Sequence, residues 1–94
     1  MDNVKVNEMC EELRGLLKEL EAPRYTQAEL LEIMLDKRGR EQLDDALCIA
    51  KGINGRRFKT EQNPQRRAKL LENGIRYLEA QTLIREIAEE LSAE

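Results

Sequence analysis

The chain has 94 residues, of which 40% are hydrophobic, 3% aromatic and 37% charged, with a formal net charge of −3 and no histidine. A chain this short holds one core and buries only roughly two thirds of its unfolded surface. The missing histidine removes the commonest general base and metal ligand together, and no run approaches the roughly 18 apolar residues of a membrane span.

Cys10 and Cys48 sit among apolar positions and are too few to staple a secreted domain, so both are expected as buried, reduced thiols. The opening MDNVKVNEMCEEL carries no basic stretch followed by an apolar one, and the expected location is cytoplasmic.

The hydrophobic spacing predicts an all-α fold in a single domain, 1–94: a small bundle of about four helices, three short and amphipathic and one long at the C-terminus. In residues 3–21, Val6, Cys10, Leu13, Leu17 and Leu20 recur at spacings of four and three, which marks one helical face. Pro23 ends that helix, because it lacks an N–H and disfavours helical backbone at Ala22. Thr26 opens the second helix with T-Q-A-E, a capping box in which Thr26 and Glu29 exchange hydrogen bonds. This helix is apolar over most of its circumference and is expected to end near Gly39. The third, Glu41 to about Lys51, carries Leu43, Ala46, Leu47 and Ala50 on one face, with Glu41, Asp44 and Asp45 in its first turns. Gly52 or Asn54-Gly55 is expected to close it, and Asn54-Gly55 favours a tiny hairpin or turn near 53–59.

Asn63 is a good cap and Pro64 fits a first helical position, so the last helix is predicted from Pro64 to about Ser92. Its stripe reads Ala68, Leu71, Ile75, Leu78, then Leu83, Ile84, Ile87 and Leu91. The offset between Ala80 and Thr82 breaks a strict heptad and allows a kink or a change of partner. The expected core is Val6, Cys10, Leu13, Leu17, Leu31, Met34, Leu47, Leu71, Ile75 and Leu78. The apolar remainder of the last helix, Leu83, Ile84, Ile87 and Leu91, extends beyond what three short helices cover and is expected to pair between copies.

No catalytic, metal or cofactor motif is present. Asp44 and Asp45 are adjacent and so diverge on a helix, the two thiols lack a histidine partner and a basic setting, and the glycines near 52–55 lack the strand and G-K-[ST] ending of a phosphate loop. No cofactor, metal or small-molecule substrate is expected, and the chain is expected not to be an enzyme. The stretch YTQAELLEIMLDKRGREQLDDALCIAKGINGRRF resembles a helix-turn-helix, with a second helix after the K-R-G turn. That helix would begin E-Q-L-D-D and carry acids toward phosphates, unlike a DNA-reading helix.

One feature of the charge is directional. Between Lys51 and Lys69 the cations Lys51, Arg56, Arg57, Lys59, Arg66, Arg67 and Lys69 face the single acid Glu61, a net of +6, while the other residues hold 9 basic and 18 acidic groups, a net of −9. Arg66, Arg67 and Lys69 lie in the first turns of the last helix, where the dipole disfavours cations unless an anion sits among them. That anion is either nucleic-acid phosphate or the carboxylates of a protein, including this chain's own Glu86, Glu89, Glu90 and Glu94. With Phe58 as an aromatic contact, these residues form the candidate partner- or phosphate-binding set. The expected function is a self-associating, protein-binding regulator, inhibitor or adaptor; the alternative is a nucleic-acid-binding regulator acting through residues 51–69.

Overall fold

The computed structural model describes residues 4–93, and among these it places four helices and no strand. Helix α1, Val4–Lys18, buries Val6, Cys10, Leu13 and Leu17 on the face that their spacing selects. The chain then folds back along α1: the Arg14 guanidinium donates to the Tyr25 carbonyl at 3.0 Å, and Gln27 Nε2 donates to the Asn7 carbonyl at 2.9 Å. Helix α2, Gln27–Leu35, therefore starts beside the first turn of α1. Its capping box is formed as expected, the Glu29 amide donating to Thr26 Oγ1 at 3.2 Å and the Thr26 amide to Glu29 Oε1 at 2.9 Å.

The second helix ends at Leu35, before the expected stop at Gly39, because Asp36 alone joins α2 to α3. Its backbone N–H donates to the Ile33 carbonyl, and its carboxylate accepts from the Gly39 amide at 3.2 Å. Gly39 thus lies in the first turn of α3, where a Cβ would stand 2.7 Å from the Ile33 carbonyl oxygen. That close approach requires glycine there, not a helix end. A one-residue joint also leaves no K-R-G turn of the kind a helix-turn-helix would need.

Helix α3 runs unbroken from Lys37 to Thr60. The expected stop at Gly52 or Asn54-Gly55 and the expected hairpin or turn near 53–59 are both overturned. Two glycines cost about 1 kcal/mol each in a helix, but Asn54 is buried and donates from Nδ2 to the Leu70 carbonyl of the next helix at 2.8 Å. The tertiary contact outweighs the local preference. Starting at Lys37 also moves Glu41, Asp44 and Asp45 out of the first turn. After Glu61, Gln62 and Asn63, helix α4 spans Pro64–Ser92 as the cap and proline predict.

Helices α3 and α4, about 36 and 43 Å long at 1.5 Å per residue, form an antiparallel hairpin in a molecule of 51 × 20 × 19 Å. Helix α1 packs antiparallel along the C-terminal half of α4, its start tied there by Lys5 to Glu90 at 3.1 Å. The core gathers Val6, Cys10, Leu13, Leu17 and Leu20 with Leu30 and Met34, Leu43 and Leu47, and Tyr77, Ala80, Leu83, Ile84 and Ile87. Leu30 replaces Leu31 at its centre, because Leu31 lies half-buried at the edge. Cys10 is buried as expected, whereas Cys48 is exposed on α3.

Between Leu47 and Tyr77 no apolar side chain is buried in that core, and the half-buried Ala50 packs against its edge. The C-terminal half of α3 and the N-terminal half of α4 project past α1 and α2 as a two-helix arm. At the arm's base Lys51 Nζ donates to Gln81 Oε1 at 3.1 Å, and Gln81 Nε2 donates to Asp44 Oδ1 at 3.3 Å. This satisfies the otherwise costly buried Gln81 amide, which is 4% exposed. Among the described residues, no helix is long and apolar enough to cross a membrane.

Candidate protein-interaction surface

The arm presents what the core leaves out. Helix α4 carries two apolar seams of equal period. Tyr77, Ala80, Ile84, Ile87 and Leu91 recur at three and four, and so do Ala68, Leu71, Ile75, Leu78 and Thr82. The seams are offset by two residues, about 200° around a helix turning 100° per residue, so they lie on nearly opposite faces. The first packs on α1 and α2. The second faces solvent, with Leu71, Ile75 and Leu78 exposed by 55%, 51% and 52%.

Two expectations are corrected by this arrangement. Leu71, Ile75 and Leu78 are not core residues, because they lie on the face of α4 nearly opposite the one that packs on α1 and α2. Leu83, Ile84 and Ile87 are buried and Leu91 is half-buried in the chain's own core, because α1 covers that part of α4; they are not free to pair between copies. The break at Ala80 to Thr82 marks the change of face, and Leu20, Leu30, Leu43, Tyr77 and Ala80 also lie in the core, outside the expected set.

Leu71, Ile75 and Leu78 line one side of a shallow apolar groove whose other wall is Lys51, Gly55 and Phe58 of α3, with Asn54 and Leu70 at its floor. The groove continues past Ile75 and Leu78 to Leu16 of α1, where Glu12, Glu79 and Glu86 surround it. Its α3 side carries Lys51 and, stacked on Phe58, Arg67, and its α1 side carries Glu12, Glu79 and Glu86. Across Asn54 and Leu70 the second flank of the arm holds Ile49 and Ile53, exposed by 67% and 37%, beside Tyr77 and the Arg57–Glu21 pair.

The basic residues do not converge on one face. Arg57 bonds both oxygens of Glu21 at 3.2 Å, and Lys69 lies 3.7 Å from Glu72. Lys51 is taken up by Gln81. The Arg67 guanidinium stacks 4.6 Å above the half-buried Phe58 ring, which keeps the ring from a base. Arg57, Arg66 and Lys69 meet around Glu61 at the tip, whereas Arg67, Phe58 and Lys51 lie toward the groove. Arg56, Lys59 and Arg66 are exposed, with no carboxylate within ion-pair distance among the described residues. The start of α4 does not offer free amides to an anion, because Asn63 Oδ1 already accepts from the Gln65 and Arg66 amides at 3.0 and 3.1 Å.

Among the thiols, burial pushes Cys10 up to about 11, so it is a neutral core group at neutral pH. Compared with protein-family models, curated protein sequences and solved structures, the chain matches none.

Proposed function

We propose that the chain is a non-enzymatic helical protein that associates with itself and binds another protein through its arm, acting as a regulator, inhibitor or adaptor. The observation that carries this reading is the solvent-facing seam of Leu71, Ile75 and Leu78. Full burial of such a side chain contributes about 1.5 to 3 kcal/mol, so each half-exposed one leaves about 1 kcal/mol for a partner to recover. Contiguous exposed apolar surface bordered by charge is the usual mark of a protein interface. The arm also has two flanks, and Ile49 with Ile53 on the second leaves a surface for a different protein.

The test is affinity capture from the producing cells, using the wild-type chain, Ile53→Lys and Leu71→Lys as baits of matched thermal stability. A protein held by the wild type and reduced at least tenfold by one variant supports the reading; identical capture by all three refutes it.

Exposed Arg56, Lys59 and Arg66 at the tip favour nucleic acid as the second reading. Titration with random duplex DNA decides it. Contacts by these cations predict log affinity falling against log salt by about 0.9 per phosphate neutralised, and no binding at low salt removes the alternative.

A further inference from the structure

We propose that two copies of the chain pair in parallel through the exposed seam of α4, arm against arm, with the two-fold axis running alongside the helix. This rests on the reading of the arm as a protein-binding surface and names a second copy as the occupant of its α4 seam. Ala68, Leu71, Ile75, Leu78 and Thr82 alternate spacings of three and four and are all exposed, the pattern with which helices pack side by side over several turns. The spacing sets Ala68, Ile75 and Thr82 in one row of the contact and Leu71 and Leu78 in the other. A β-branched residue in the first row with leucine in the second favours two parallel strands, and Ile75 stands at the centre between the two leucines. In the pair each seam residue meets its own copy. Such an isologous contact uses one patch twice and closes at two copies.

Charge selects the parallel sense. On the α1 side of the seam Glu72, Glu79 and Glu86 recur one heptad apart, and the matching positions on the α3 side are Arg67, Gly74 and Gln81. Gly74 has no side chain, and Lys51 of α3 borders the groove beside it. Gln81 accepts from Lys51 at 3.1 Å but cancels none of its charge, and Arg67 is held at the seam's edge by its stacking on Phe58. In a parallel pair each flank faces the opposite flank of the other copy. Arg67 of each copy then meets Glu72 of the other, and Lys51 meets Glu79. An antiparallel pair would lay the acidic flanks together and the basic flanks together. Glu72 lies 3.7 Å from Lys69 and 3.8 Å from Arg76 in its own copy, exposed contacts that add little and leave its carboxylate open to Arg67. Helices α3 and α1 stand on either side of the seam, so neither obstructs a second α4 laid along it.

Light scattering during size-exclusion chromatography of the full chain tests the pairing. The wild type should show twice its 10.9 kDa mass. Ile75→Lys should return it to the single mass with an unchanged melting curve at dilution, since Ile75 is 51% exposed in one copy. Oxidation of single-site variants reads the direction. Ala68→Cys and Thr82→Cys, each made together with Cys48→Ser while Cys10 stays buried, should each cross-link to its own kind. An antiparallel pair would instead join Ala68→Cys to Thr82→Cys, and only in their mixture. Arg67→Glu and Glu72→Arg should each weaken self-association about tenfold, through two like-charged contacts per dimer. Their one-to-one mixture should regain the wild-type strength, because every flank contact is then opposite in sign. A wild type of single mass at its highest soluble concentration overturns the pairing, as does a dimer that survives Ile75→Lys. Cysteine variants that do not cross-link to their own kind, or a charge mixture no tighter than its components, overturn the parallel sense. Failure of the two readings is separable. A monomeric wild type that still captures a partner lost by Ile53→Lys overturns the pairing alone, whereas a dimer whose baits all capture equally overturns partner binding by the arm's second flank.

Discussion

Ile75 and Ile87 are the same residue on the same helix, twelve positions apart, and alanine at each should have very different consequences. Ile87 is fully buried against α1 and α2, whereas Ile75 is 51% exposed. Removing a buried isoleucine to alanine loses its transfer free energy and leaves a cavity, together about 2 to 5 kcal/mol. At Ile75 about half of a 1.5 to 3 kcal/mol burial is at stake, and alanine's better helix propensity returns up to about 0.7 kcal/mol. The net cost there should lie under about 1 kcal/mol. A chain of 94 residues has a total stability of about 5 to 14 kcal/mol, so Ile87→Ala should sacrifice a large part of it and lower the melting temperature by about 10 °C or more. The assay is urea unfolding followed by far-ultraviolet circular dichroism, at a dilution where the chain elutes at its single mass. A loss below about 1 kcal/mol at Ile87, or above about 2 at Ile75, would falsify the assignment of the two seams.

Gly39 and Gly15 form a second contrast. Gly39→Ala drives a Cβ to 2.7 Å from the Ile33 carbonyl and should destabilise by about 1 to 3 kcal/mol. Gly15→Ala meets open space and should stabilise by about 1 kcal/mol; thermal melts of equal midpoint would contradict the packing of α2 on α3. In the native protein a thiol reagent should modify exposed Cys48 quickly and buried Cys10 only on unfolding, and two equal fast rates would place Cys10 at the surface. Because burial raises the Cys10 pKa to about 11, its contribution is complete below the unfolded thiol's value, about 8.5, and is lost as pH climbs toward 11. Hydrogen bonds from the Thr26 backbone and then its side chain lower the Glu29 pKa. The stability this adds is present above the ordinary carboxylate range and lost as pH falls through the lowered value. Thr26→Ala should therefore flatten part of the acid limb of stability against pH, and an unaltered limb would argue against the capping box.

What could be read in the sequence was local. The capping box at Thr26, the Asn63 cap with Pro64, and the face of α1 depend on residues within a few positions of one another, and each stands as expected. The course of α3 past Gly52 and Gly55 depends on Leu70, sixteen residues beyond Asn54, and no local rule contains that partner. The two seams of α4 were both legible, but which one α1 would cover depends on how the chain folds back at Tyr25 and Gln27. For the same reason the cations between Lys51 and Lys69 looked like one patch. Folding sets them on two antiparallel helices and commits Arg57 to Glu21 and Lys69 to Glu72, leaving Arg56, Lys59 and Arg66 without a carboxylate partner among the described residues.

The arm also gives the molecule a gradient of local stability. Amides of α3 and α4 at the bundle end open only when a shared core of four helices is disrupted. Those of the arm are guarded by one facing helix, the Asn54 hydrogen bond to Leu70 and a few apolar contacts, and segments with so little buried surface open at a fraction of the global cost. Hydrogen exchange should therefore run fastest near Arg56 to Lys69 and slow stepwise past the Lys51, Gln81 and Asp44 chain. Anything that grips the arm stabilises it by mass action and slows exchange there first, so that a map of protection with and without the bound molecule draws its footprint even when its identity is unknown.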